Sequence, residues 1–156
     1  MKTASLKELK TELGRIHPAR LAGLCLQLVK YKKENKELLT YLLFDSFDEK
    51  AYIEEVKLLT DELFKEVNKN NIHLAKKTIR KILAVVNKQV KFSGSKQTEV
   101  ELLLHFCQKL RKCGVPMYAN SAIGNLYHRQ VMKIDKAMAS LHEDLQFDYS
   151  EERRLL

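Results

Sequence analysis

The sequence predicts an all-α protein, a single-domain antiparallel bundle of about six or seven helices. Three observations carry this. Apolar residues recur at three- and four-residue spacings along nearly the whole chain, helix-starting and helix-stopping residues stand between the periodic segments, and no segment alternates apolar and polar positions as a half-buried strand does. The 156 residues include 45% hydrophobic and 31% charged side chains with only five Gly and two Pro, which suits one compact domain without a linker. That domain is expected to span residues 1–145, with 146–156 as a short, acidic, flexible tail. Successive helices paired as stacked hairpins would be a variant of the same fold.

The first helix opens with a Ser-x-x-Glu capping box at Ser5 and Glu8, carries Leu6, Leu9 and Leu13 on one stripe, and stops at Gly14. Pro18 suits the first position of a second helix, because its missing N–H would be unsatisfied there anyway. That helix runs to about Glu34 with Leu21, Leu24, Cys25 and Leu28 on its apolar side. Asn35 is read as the cap of a third helix ending near Asp45. Its Leu38, Leu39, Tyr41, Leu42, Leu43 and Phe44 are apolar nearly all round, so it is expected to be the buried, central helix. Asp48 caps a fourth, in which Ile53, Val56, Leu59, Leu63 and Val67 keep helical rhythm, and Asn68 to Asn71 form a polar break.

The fifth segment contains enough β-branched residues to suggest a strand. Its periodicity decides otherwise: Ile72, Ala75, Ile79, Ile82, Leu83, Val86 and Val90 gather on one helical face. A turn at Phe92-Ser93-Gly94-Ser95 leads into a sixth helix with Val100, Leu103, Leu104, Cys107 and Leu110, closed by Gly114 and Pro116. The last helix starts at Asn120 or Ser121, and its Tyr127, Val131, Ile134, Met138, Leu141 and Leu145 form a seam over about five turns. Left exposed, such a seam predicts self-association.

Charge is placed unevenly. The formal net charge is +8, and the window Val67 to Thr98 alone holds eight bases and no acid. The rest of the chain holds twenty of each sign. Lys76, Lys77, Arg80, Lys81, Lys88 and Lys91 fall opposite the apolar face of the fifth helix and form a basic surface suited to phosphates or an acidic partner. A solvated outer helix carries the same pattern. So does one neutralised by Glu54, Glu55, Asp61, Glu62 and Glu66 of the fourth helix, or by the five acids between Glu143 and Glu152.

Signals for chemistry are few. The five Gly are scattered, with no phosphate-binding Gly loop, and there is no G-x-S-x-G or H-E-x-x-H. His105, Cys107 and Cys113 lack the spacing of metal ligands on one helical face. His128 and His142, fourteen residues apart, would flank the last seam, and Tyr127-His128-Arg129 lacks the Arg–His spacing of a helical nuclease, because no His follows Arg129 before His142. No catalytic residue, metal or cofactor is therefore expected. Three Cys fit reduced thiols, the longest apolar runs are too short to span a bilayer, and the first eight residues do not read as a secretory signal, so cytoplasmic residence is expected. The expected function is a non-enzymatic helical interaction domain that contacts a protein partner through the basic face or an apolar groove. The alternative is a sequence-independent nucleic-acid-binding protein using the basic face.

Overall fold

A computed structural model describes residues 2–118 and 121–156. The secondary structure of the described residues is all α, with no strand, and comprises eight α-helices where the sequence predicts six or seven. They are α1 Leu6–Leu13, α2 Pro18–Tyr31, α3 Lys33–Thr40, α4 Glu49–Lys65, α5 Ile72–Ser93, α6 Lys96–Lys112, α7 Ala122–Met138 and α8 Glu143–Arg154, with a π-helical turn at Tyr41–Asp45. Contacts divide the chain into two compact units, Met1–Phe44 and Asp45–Leu156, where the sequence reads a single domain to residue 145.

The N-terminal unit holds α1, α2 and α3. The capping box forms as expected, with the Ser5 N–H donating to Glu8 Oε2 at 2.7 Å, and Pro18 opens α2 behind its N-cap His17. Asn35 does not cap α3. It lies inside that helix and donates from Nδ2 to the Leu28 carbonyl at 2.8 Å, tying α3 back to α2. Residues 33–45 are not the central helix either: Tyr41 is buried, but Leu42, Leu43 and Phe44 are exposed. α3 itself is largely polar (Lys33 to Glu37), and a 44-residue unit of three short helices has too few elements to cover the apolar stretch that follows it.

In the C-terminal unit the central helix is α6, which packs against α4, α5 and α7. It buries Val100, Leu102, Leu103, Leu104, Phe106, Cys107 and Leu110 on several sides. Neighbours in sequence run antiparallel: Tyr52 near the start of α4 bonds Gln89 near the end of α5, and Glu99 at the start of α6 meets Lys133 late in α7. α4 and α6 run parallel, with Lys57 on Glu101 at 3.1 Å, Asp61 on His105 and Lys109 at 2.6 Å each, and the Phe64 and Phe106 rings 5.5 Å apart. At the α5–α6 corner Gly94 adopts φ +68°, a left-handed conformation that a side chain would strain, and Ser95 caps α6. Glu49, in the first turn of α4, accepts the hydroxyl protons of Ser93 and of Thr98, the latter at 2.6 Å.

The last helix differs from its sequence reading. Asn120, one of its two candidate starts, lies outside the described residues, and Ser121 caps α7 through the Gly124 N–H at 3.0 Å. α7 ends at Met138, where Ser140 turns its hydroxyl onto the Ala137 carbonyl at 2.7 Å and His142 caps a separate helix, α8. The continuous seam to Leu145 is thus broken, and its middle, Val131 and Ile134, is buried rather than exposed. The segment read as a flexible tail is helical through Arg154. It is held by Tyr149 on Glu101 at 2.8 Å, by Arg153 on Asp135 at 2.5 and 2.9 Å, and by Tyr127 on the Leu156 oxygen at 2.6 Å.

Candidate functional site

The basic face is the outer arc of α5. On one flank Gln89 accepts the Tyr52 hydroxyl of α4 at 2.8 Å, and on the other Asn87 accepts from Lys133 of α7 at 2.9 Å. These two bonds fix the roll of the helix about its axis. Ala75, Ile79, Ile82, Val86 and Val90 turn inward and are buried; Lys77, Arg80, Lys81 and Lys91 turn outward and are exposed, with Lys76 and Lys88 half-buried at the margins. The segregation is what 100° per residue dictates once the apolar stripe is covered.

Three acids of α4 are engaged by residues outside this face. Glu54 pairs with Lys57 at 2.8 Å, Asp61 with His105 and Lys109 of α6, and Glu62 with Lys65 at 2.6 Å. Burial pushes the Asp61 carboxyl up, but hydrogen bonds from Lys109 and His105 outweigh it and hold the group below its ordinary value. In α8, Glu152 accepts from Gln108 at 3.2 Å and Asp144 stands beside His142 at 3.2 Å. Among the described residues no carboxylate lies within ion-pairing distance of Lys76, Lys77, Arg80, Lys81 or Lys91.

One margin of this face opens into a cleft of about 460 Å³. Lys69, His73 and Lys76 form one wall, and Pro116, Tyr118 and the start of α7 the other. His73 and Lys76 are three residues apart on α5 and so share a face. The Lys69 stem lies across Gly114, its Cδ 3.8 Å from where a Cβ would stand. Tyr118 is placed by its own carbonyl, which accepts from the Ser121 N–H at 3.1 Å and packs so tightly on α7 that a Cβ at Gly124 would sit 2.3 Å from it.

Charge counting in one window misses this cleft, although the signal was present. From Leu102 to Ile134 the chain holds five bases and no acid, a second acid-free run whose +5 is hidden because the remaining segments carry −5. The fold places Pro116, Tyr118, Ser121, Ala122 and Ile123 of this run in one cleft with Lys69 and the first turns of α5. Among the described residues no carboxylate lines the cleft.

The other residues singled out from sequence are not drawn together. His142 caps α8 while His128 lies on α7, so the two no longer share one helix. His105 is engaged by Asp61, the Cys113 thiol donates to the Leu110 carbonyl at 3.0 Å, and burial pushes the Cys107 thiol up to about 12. Among the described residues no three His, Cys, Asp or Glu side chains are grouped as metal ligands, and no helix is long and apolar enough to cross a membrane. Within the N-terminal unit, Cys25, Leu28, Val29, Leu38, Leu39 and Leu42 line an apolar groove of about 250 Å³ between α2 and α3. Comparison of the chain with protein-family models, with curated proteins and with solved structures finds no match.

Proposed function

We propose that the protein is a non-enzymatic helical binding module that holds an anionic partner on the outer face of α5. One observation carries the reading: Lys76, Lys77, Arg80, Lys81 and Lys91 have no carboxylate within ion-pairing distance among the described residues. A helix face that carries bases only to stay soluble gains from pairing them with the acids of its own neighbours. Here Glu54, Asp61 and Glu62 of α4 are engaged by other residues, and the potential of these five bases is left for an external partner.

A second reading, in which the partner is nucleic acid bound without regard to sequence, is favoured by the spacing of the charges. From Lys76 to Lys91 the bases extend along one face for about 22 Å, at 1.5 Å of rise per residue. All but Arg80 are lysines, compact point charges suited to successive phosphates rather than to the planar bidentate pairing that arginine makes with a carboxylate.

Fluorescence anisotropy with a labelled duplex and with a labelled poly-glutamate peptide tests both readings. Five released counterions correspond to a log–log salt slope of about −4 to −5 on duplex DNA, a loss of about 10²- to 10³-fold in affinity between 50 and 200 mM salt. The triple substitution Lys77→Glu, Arg80→Glu, Lys81→Glu should abolish binding. Tighter binding of the peptide than of the duplex would select the protein partner, and absence of binding to either at low salt would overturn the proposal.

A further inference from the structure

We infer that the cleft at the N-terminal end of α5 is a separate nucleotide pocket, with a phosphate held by Lys69, His73 and Lys76 and the base laid against Tyr118. It shares only Lys76 with the outer basic face and does not depend on that face binding a polymer. At about 460 Å³ the cleft falls in the size range of small-molecule sites.

The wall chemistry selects the ligand. Two lysines and a histidine from the α4–α5 connection and the first turns of α5 line the cleft, and among the described residues no carboxylate does. The side chains of Lys69, His73 and Lys76 have no hydrogen-bond or ion-pair partner among the described residues. Cations left unpaired side by side in a concave site repel one another, and a multiply charged phosphate relieves that repulsion more fully than a single carboxylate does. Across the cleft Tyr118 is 72% exposed, so its ring face is open to stacking. A bare phosphate would leave this ring and the apolar floor of Ile72 and Ile123 unused; a base attached to the phosphate covers both. The fit at Gly124 holds the Tyr118 backbone against the start of α7, beside the cleft.

Isothermal titration calorimetry of the full chain with AMP, adenosine and inorganic phosphate tests the assignment. AMP is expected to bind at least tenfold more tightly than either fragment. Lys69→Glu with Lys76→Glu should weaken AMP at least tenfold, and Tyr118→Ala, a change at an exposed position that leaves the fold intact by circular dichroism, at least fivefold. The Lys77, Arg80, Lys81 triple variant should keep AMP binding while losing the polymer, which separates failure of this pocket from failure of the basic face. No AMP binding at millimolar concentration, AMP binding unchanged in the lysine double variant, or phosphate binding as tightly as AMP would each overturn the inference.

Discussion

The chain before Asp45 and the chain after it carry the same helical periodicity of apolar residues and meet opposite outcomes. Among the described residues 31 are buried, of which only Tyr41 belongs to the N-terminal unit and the other thirty to the C-terminal unit. Leu6 and Tyr31 are more than four-fifths exposed, while Ile79, Val100, Leu103 and Phe106 are fully enclosed. A stripe of leucines makes a helix amphipathic, but covering the stripe takes neighbours. α6 has α4, α5 and α7 around it, and α3 has chiefly α2. Periodicity therefore reports which face is apolar and not whether that face is covered.

Core truncation should break the comparison most sharply. Phe106→Ala, which also removes the ring against Phe64, is expected to cost about 3–5 kcal/mol, whereas Leu6→Ala should stay within about 0.5 kcal/mol. Urea denaturation followed by circular dichroism measures both. Equal costs would mean that α1 is covered in solution.

The next effect concerns ion pairs. Glu99 is almost fully buried, with Lys96 at 2.6 Å and Lys133 at 3.3 Å, and its replacement by Ala should cost about 1–3 kcal/mol. Glu12→Ala removes an exposed pair with Arg15 and is expected to cost about 0–1 kcal/mol, with the smaller loss again on the N-terminal side. Thermal melts of the two variants under one buffer give the contrast.

Glycine substitutions should then differ in sign. Gly94→Ala forces a side chain into φ +68° and is expected to destabilise by about 1–2 kcal/mol. Gly23→Ala sits inside α2 with open space around the added methyl, and should stabilise by about 0.5–1 kcal/mol. A destabilising Gly23→Ala in the same melts would show that something covers that part of α2.

The smallest and most gradual effect is acid sensitivity. Asp61 and Glu99 are pushed up by burial but held below their ordinary values by their lysine partners, and Asp135 is held down chiefly by the Arg153 hydrogen bond. A carboxyl whose folded pKa is depressed binds protons more readily in the unfolded chain. The stability it contributes is complete above the ordinary values of 3.8 and 4.5 and is lost as pH falls through the folded ones. Denaturation midpoints should be flat from pH 7 to about 5 and fall below that, and Asp135→Asn should shallow the fall.

Much of the architecture was legible from local signals. Ser5 and Glu8, Pro18, Asp48, Asn71, Gly94, Ser95 and Ser121 act at helix ends through their own backbone and side-chain geometry, so their positions can be read without knowing the fold. Asn35 misled because a side-chain amide that can cap a helix can equally reach a carbonyl seven residues back. The run of apolar residues to Leu145 misled because the break at Ser140 and His142 carries neither Gly nor Pro.

The candidate site divides in the same way. The six bases of α5 were legible because a single amphipathic helix sorts its own side chains by period. The cleft was not, because it needs Lys69, His73 and Lys76 from one part of the chain and Tyr118 from more than forty residues later. The sequence by itself determined the helices, most of their ends and the sorting of charge around α5, since these depend on residues within a turn or two of each other. Only the tertiary structure decided that α6 is central, that Glu54, Asp61 and Glu62 of α4 pair with residues outside the basic face, and that two acid-free runs meet at one cleft. Those outcomes depend on which helices pack together and how each is rolled about its axis, and pairings such as Tyr52 with Gln89 and Lys133 with Asn87 set that roll across the fold.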